Sequence, residues 1–162
     1  MAGPPLHPLC APVAFLVGEW DGEGHGGYPG LQSFTYSEKM RVWHVGKPDL
    51  AFEQRTWALD PSGQPGQELH GESGYLRCLE EGRLELAVAM APGHVEVAAG
   101  RVERSRISLE SVGVLDAPSA APVSAVKRTW WLEGELLRYE VEMAALDQPM
   151  TWHLSAELRR SG

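Results

Sequence analysis

The chain has 162 residues, room for one domain, and a formal net charge of −8. That charge repels nucleic acid, and no apolar run approaches the length of a membrane span. Met1-Ala2-Gly3-Pro4-Pro5 lacks the basic start and apolar stretch of a secretory signal, so one cytoplasmic domain over residues 1–162 is expected.

The chain opens with a short helix signal. Leu9, Val13 and Leu16 recur at i, i+4 and i+7, Pro12 limits the helix, and Gly18 ends it. Strand patterns follow. Phe34, Tyr36, Met40 and Val42 alternate with polar neighbours, and Leu84, Leu86, Val88 and Met90 repeat the pattern. Val95 and Val97 form a third apolar phase against His94 and Glu96. Further strands are expected near 17–24, 50–59, 68–79, 105–115, 123–133, 135–146 and 150–160. Glu81-Gly82 and Glu133-Gly134 read as minimal hairpin turns, and Pro92-Gly93 and Asp147-Gln148-Pro149 as breaks. About ten short strands joined this way predict an all-β fold, a closed meander or a sandwich. Most of the six tryptophans read as core filling. Cys10 and Cys78 read as buried, reduced thiols.

Familiar catalytic signatures are missing. The six histidines include no pair at helical metal spacing, and there is no nucleophile elbow and no Walker loop. No histidine–carboxylate pair stands out as an acid–base device, so no catalytic side chain is assigned. Met40, Met90, Met143 and Met150 suit either a core or an apolar pocket.

The most specific segment is Gly18-Glu19-Trp20-Asp21-Gly22-Glu23-Gly24, a G-x-W-x-G-x-G motif. It is joined by Tyr28-Pro29-Gly30, His44-Val45-Gly46-Lys47-Pro48, His70-Gly71-Glu72-Ser73-Gly74-Tyr75-Leu76-Arg77, a Gly93–Gly100 hairpin and a closing Met150-Thr151-Trp152-His153-Leu154. Together, in this order over about residues 6–160, these blocks resemble the nitrobindin family of haem-binding β-barrels.

The resemblance implies a ten-stranded antiparallel closed barrel, lipocalin-like, with a short N-terminal helix. It implies one ferric haem b per chain, ligated by His153, that binds nitric oxide and isomerises peroxynitrite to nitrate. Homodimers are implied as well. Gly30 falls where the family approaches the haem edge and offers only its backbone there; Lys127 falls where bacterial members carry a basic residue, beside a propionate. Gly18, Trp20, Gly22 and Gly24 would shape the barrel and the haem rim. The residues themselves raise one objection. Trp152, Leu154, Ala156 and Leu158 form the apolar phase of the last strand, which aims His153 outward unless a bulge intervenes. The alternative function is a barrel without iron that carries a small apolar ligand; a further one is a structural or partner-binding barrel.

Overall fold

The computed structural model describes residues 2–161. Ten strands follow one another: β1 (Gly18–Tyr28), β2 (Leu31–Trp43), β3 (Asp49–Leu59), β4 (Pro65–Cys78), β5 (Arg83–Met90), β6 (His94–Glu103), β7 (Arg106–Asp116), β8 (Val123–Glu133), β9 (Leu136–Ala145) and β10 (Thr151–Arg160). Each pairs antiparallel with its chain neighbours, and β1 pairs with β10, so the sheet closes on itself. Closure removes the free sheet edges except where β7 and β8 part beyond Glu110 and Lys127. Tight turns make the meander possible. Arg104 and Ser105 both take positive φ between β6 and β7, as a two-residue hairpin turn requires. Among the described residues no helix is long and apolar enough to cross a membrane.

The N-terminal helix exists, with a different pitch. Pro8–Leu16 is a 3₁₀ helix, and the buried residues are Cys10, Val13 and Leu16. Their spacing of three matches the 3₁₀ repeat. His7 Nδ1 caps the helix by accepting from the Leu9 amide. The helix closes one end of the barrel, where Cys10 and Cys78 bring their free thiols to 2.8 Å.

The G-x-W-x-G-x-G motif locks that closed end. Trp20 is buried and its indole N–H donates to the Leu16 carbonyl at 2.8 Å. Arg160, from the end of β10, lies over the Trp20 ring and donates to the Phe15 and Val17 carbonyls at 2.7 and 2.5 Å. Gly22 and Gly24 share the inward face with Trp20. A Cβ at Gly22 would strike the Glu157 carbonyl and Leu158, and one at Gly24 would strike the Tyr36 ring. The glycines thus admit large side chains from neighbouring strands.

Two sequence expectations are corrected. On β6 the phase is inverted: Val95 and Val97 are half-exposed, while Glu96 is fully buried. Glu96 turns inward because Arg128 meets it there, and Ala98 and Val102 continue the same inward face. Of the six tryptophans only Trp20 and Trp130 are buried. Trp43 and Trp131 instead lie under Arg41 and Arg106, and Trp152 lies against His25.

Gly22→Ala is expected to lower stability by about 1–3 kcal/mol, because the backbone it would strike cannot yield as a side chain can. Denaturant midpoints of the two proteins check this.

Candidate functional site

The open end of the barrel holds a cavity of about 370 Å³. Beyond the Glu110–Lys127 pair, β7 and β8 no longer form a ladder. Phe34, Met90, Val126, Val141, Met143 and Leu154 contribute apolar wall; Arg128, Glu72, Gln54 and Tyr139 contribute polar wall. Met40 lines it too, whereas Met150 is exposed.

His153 lines this cavity. The register of β10 against β9 shifts between Trp152 and Leu154, so His153 is the extra residue of a β-bulge. The ladder of β1 with β2 shifts likewise between Gly26 and Tyr28. The bulge changes the side-chain phase. Leu154, Ala156 and Leu158 face inward as the alternation requires. Trp152, in the apolar phase by sequence, is instead outside, where its indole donates to Ser155 Oγ at 2.7 Å.

The ring of His153 is held on three sides. Nδ1 lies 3.1 Å from the Gly27 carbonyl. A carbonyl only accepts, so Nδ1 carries the proton and Nε2 keeps a free lone pair. Tyr28 and Phe34 pack edge-on at 5.6 and 6.5 Å between ring centroids. Tyr28 is itself tied to β9, its hydroxyl donating to the Met143 carbonyl at 2.8 Å and accepting from the Ala145 amide at 3.0 Å. Burial pushes the His153 pKa down and so favours the neutral ring; the Gly27 bond opposes it only in part. A neutral imidazole with one nitrogen anchored and the other free on an apolar wall is the donor that haem iron takes.

The other residues drawn from the resemblance are placed differently. Gly30 sits in the β1–β2 turn with φ +84°, two residues past Tyr28 and off the cavity wall. Lys127 points outward. The alternation that sends Val126 and Arg128 into the barrel sends it to the outer face, 3.9 Å from Glu110 and 4.0 Å from Glu142. The propionate contact expected of Lys127 is therefore not prepared by its side-chain position. His44 caps a turn by accepting from the Gly46 amide.

Sequence reasoning missed a buried polar network. Arg128 donates to both oxygens of Glu72, at 2.7 and 3.2 Å, and to Glu96 at 2.9 Å. Burial opposes ionisation of Glu72, yet the guanidinium brings its pKa down to about 2. Nearby, Glu38 Oε1 accepts from Tyr139 at 2.8 Å and from Gln54, and Tyr139 meets Tyr36 at 2.7 Å. Glu38 has no cation beside it; burial pushes its pKa up to about 8. Two histidine–carboxylate pairs also stand here: His70–Glu72 at 3.1 Å, both lining the cavity, and His94–Asp116 at 2.8 Å, of which only His94 lines it. The first was legible, since residues i and i+2 of a strand share a face.

The comparisons agree with this geometry. A family model described as "THAP4-like, heme-binding beta-barrel domain" matches residues 9–160. The chain belongs to this family, the nitrobindins. A peroxynitrite isomerase 1 of Mycolicibacterium paratuberculosis is 42% identical over 161 residues, covering 96% of each chain. A peroxynitrite isomerase of Nocardioides sp. is 39% identical over 156 residues, covering 96% of this chain and 94% of its own. The crystal structure of Rv2717c from M. tuberculosis superposes with a TM-score of 0.88 at 36% identity, covering 98% of this chain and 100% of that one.

Glu38 gives a pH prediction. Its folded pKa is above the unfolded value, so its contribution is fully present below about 4.5 and is lost as pH rises through about 8. Glu38→Gln removes that dependence. The variant should gain at least ~1 kcal/mol on the parent between pH 5 and pH 9, read by chemical denaturation at both pH values.

Proposed function

We propose that the chain holds one ferric haem b through Nε2 of His153 and isomerises peroxynitrite to nitrate. The observation that carries the reading is the free, neutral His153 nitrogen on an apolar cavity wall, with its partner nitrogen fixed by the Gly27 carbonyl. The family description and the names of the relatives support it.

When bound, the ferric haem supplies Lewis-acid and one-electron chemistry for the O–O bond. The chain's own residues position and shelter it. The His153 bulge fixes the ring, and Tyr28 and Phe34 hold its plane. Phe34, Met90, Val141, Met143 and Leu154 offer an apolar surface that keeps water from the bound group and retains small fragments in place. Uncharged nitric oxide loses nothing in such a lining, and the same reading has it bind reversibly. Gly30 lies in a mouth turn where the backbone can approach the haem edge. The homodimer implied by the resemblance, and a cytoplasmic location, belong to this reading too.

Peroxynitrite decay followed by stopped flow should be accelerated by hemin-loaded protein and not by apoprotein at equal concentration. His153→Ala should weaken hemin binding at least tenfold and shift the Soret band while leaving the far-ultraviolet spectrum unchanged. A protein that takes up no hemin would instead favour the carrier of an apolar ligand.

A further inference from the structure

The cavity presents few polar groups that are still free to meet a ligand. All three guanidinium nitrogens of Arg128 are engaged by Glu72 and Glu96. The Gln54 amide and the Tyr139 hydroxyl are committed to Glu38. Among the described lining residues apart from His153, the polar groups left over are the Thr56 hydroxyl, the Trp130 indole N–H and one ring nitrogen each of His70 and His94.

Thr56 and His70 are direct cross-strand partners on β3 and β4, and both line the cavity. Directly paired residues project to the same face. His70 Nε2 lies 3.1 Å from Glu72, a carboxylate held ionised by Arg128. An ionised carboxylate only accepts, so Nε2 donates there and Nδ1 is the nitrogen left for a ligand. Glu72 is in turn clamped by Arg128 and so fixes the ring from behind.

The barrel topology sets this pair against His153. His153 is on β10 and His70 on β4, four strands away around the ring in one direction and six in the other. A group held by His153 would stand between that ring and the wall across the cavity. That wall carries His70 on β4 and, equally distant, His94 on β6; Thr56 on β3 stands beside His70.

We propose that His70 and Thr56 are further catalytic residues, a donor pair that meets an anionic oxygen-bearing ligand on the open face of the group held by His153; this rests on the haem reading. The Thr56 hydroxyl donates a hydrogen bond to the anion; His70, whose Nε2–H stays on Glu72, donates from Nδ1 by taking up one proton from solvent together with the anion, and Glu72 is the positioning residue behind it. The pair gives a small anion a reason to enter an apolar cavity whose one arginine is already neutralised.

The test uses hemin-loaded protein and fluoride, an anion whose ferric complex reports hydrogen bonding through its charge-transfer band. His70→Leu should lower fluoride affinity about tenfold and Thr56→Val about threefold, as expected for lost bonds to a charged ligand. Both should shift the charge-transfer band, while hemin affinity and the Soret band stay within about twofold of the parent. His94→Leu should leave fluoride binding unchanged, since His94 pairs across the strands with Met90 and Asp116 and has no hydroxyl beside it. Thr56→Val is nearly isosteric and keeps the measurement available if His70→Leu misfolds. Fluoride affinity unchanged in both variants would overturn the proposal. So would a loss of hemin from His70→Leu as great as from His153→Ala, which would make His70 an iron ligand. A parent protein that takes up no hemin would overturn the haem reading and this one with it, a result distinct from normal hemin binding with unaltered fluoride affinity.

Discussion

Every strand of a closed barrel gives the interior one residue in two, and on β10 that allotment goes to Leu154, Ala156 and Leu158. His153 joins them because the ladder slips by one residue at its position. The slip faces a second irregularity at Gly27, whose carbonyl accepts a hydrogen bond from Nδ1–H. One distortion delivers the ring and the other supplies the acceptor that fixes its tautomer. The rest of the mouth is arranged around that ring: Tyr28 is bound to β9, Phe34 lies beside it, and Gly26 leaves room for Phe34 and Leu154. Without the bulge the imidazole would lie on the outer surface and would not reach the cavity.

Away from that mouth the interior becomes polar. Burying Arg128, Glu72 and Glu96 together is tolerable because each charge has an opposite partner within hydrogen-bonding distance. Removing one partner from such a cluster typically costs about 3–5 kcal/mol. Glu38 meets burial the other way, by keeping its proton. This polar region divides the barrel into an apolar closed end under the 3₁₀ helix and an open end given over to the cavity.

Much of this was legible in the sequence. Strand alternation and paired turn residues led to a closed meander or a sandwich, because each hairpin is a local decision; the resemblance chose the closed barrel. The helix was visible, but its pitch depended on packing inside the barrel end. His153 was visible only through the resemblance; its own strand pattern pointed outward, since a bulge is set by the partner strand and not by the residues that contain it. Val95 and Val97 misled for a related reason. A buried glutamate was read as outward until Arg128, from another strand, was found facing it. Lys127 was drawn to the site by motif position alone, and the alternation that places Arg128 inside rules its side chain to the outer face. The His70–Glu72 pair stands at i and i+2, the spacing that shares one face of a strand, which a reading by helical spacings passes over.

The central claim is that iron is held by the imidazole of residue 153, and chemical rescue tests it most directly. His153→Gly removes the ring and leaves a space beside the Gly27 carbonyl that free imidazole can fill. Hemin-loaded His153→Gly should lose the Soret position of the parent and recover it when imidazole is added. A variant that keeps the parent spectrum without imidazole would contradict the account, as would one whose spectrum imidazole fails to restore.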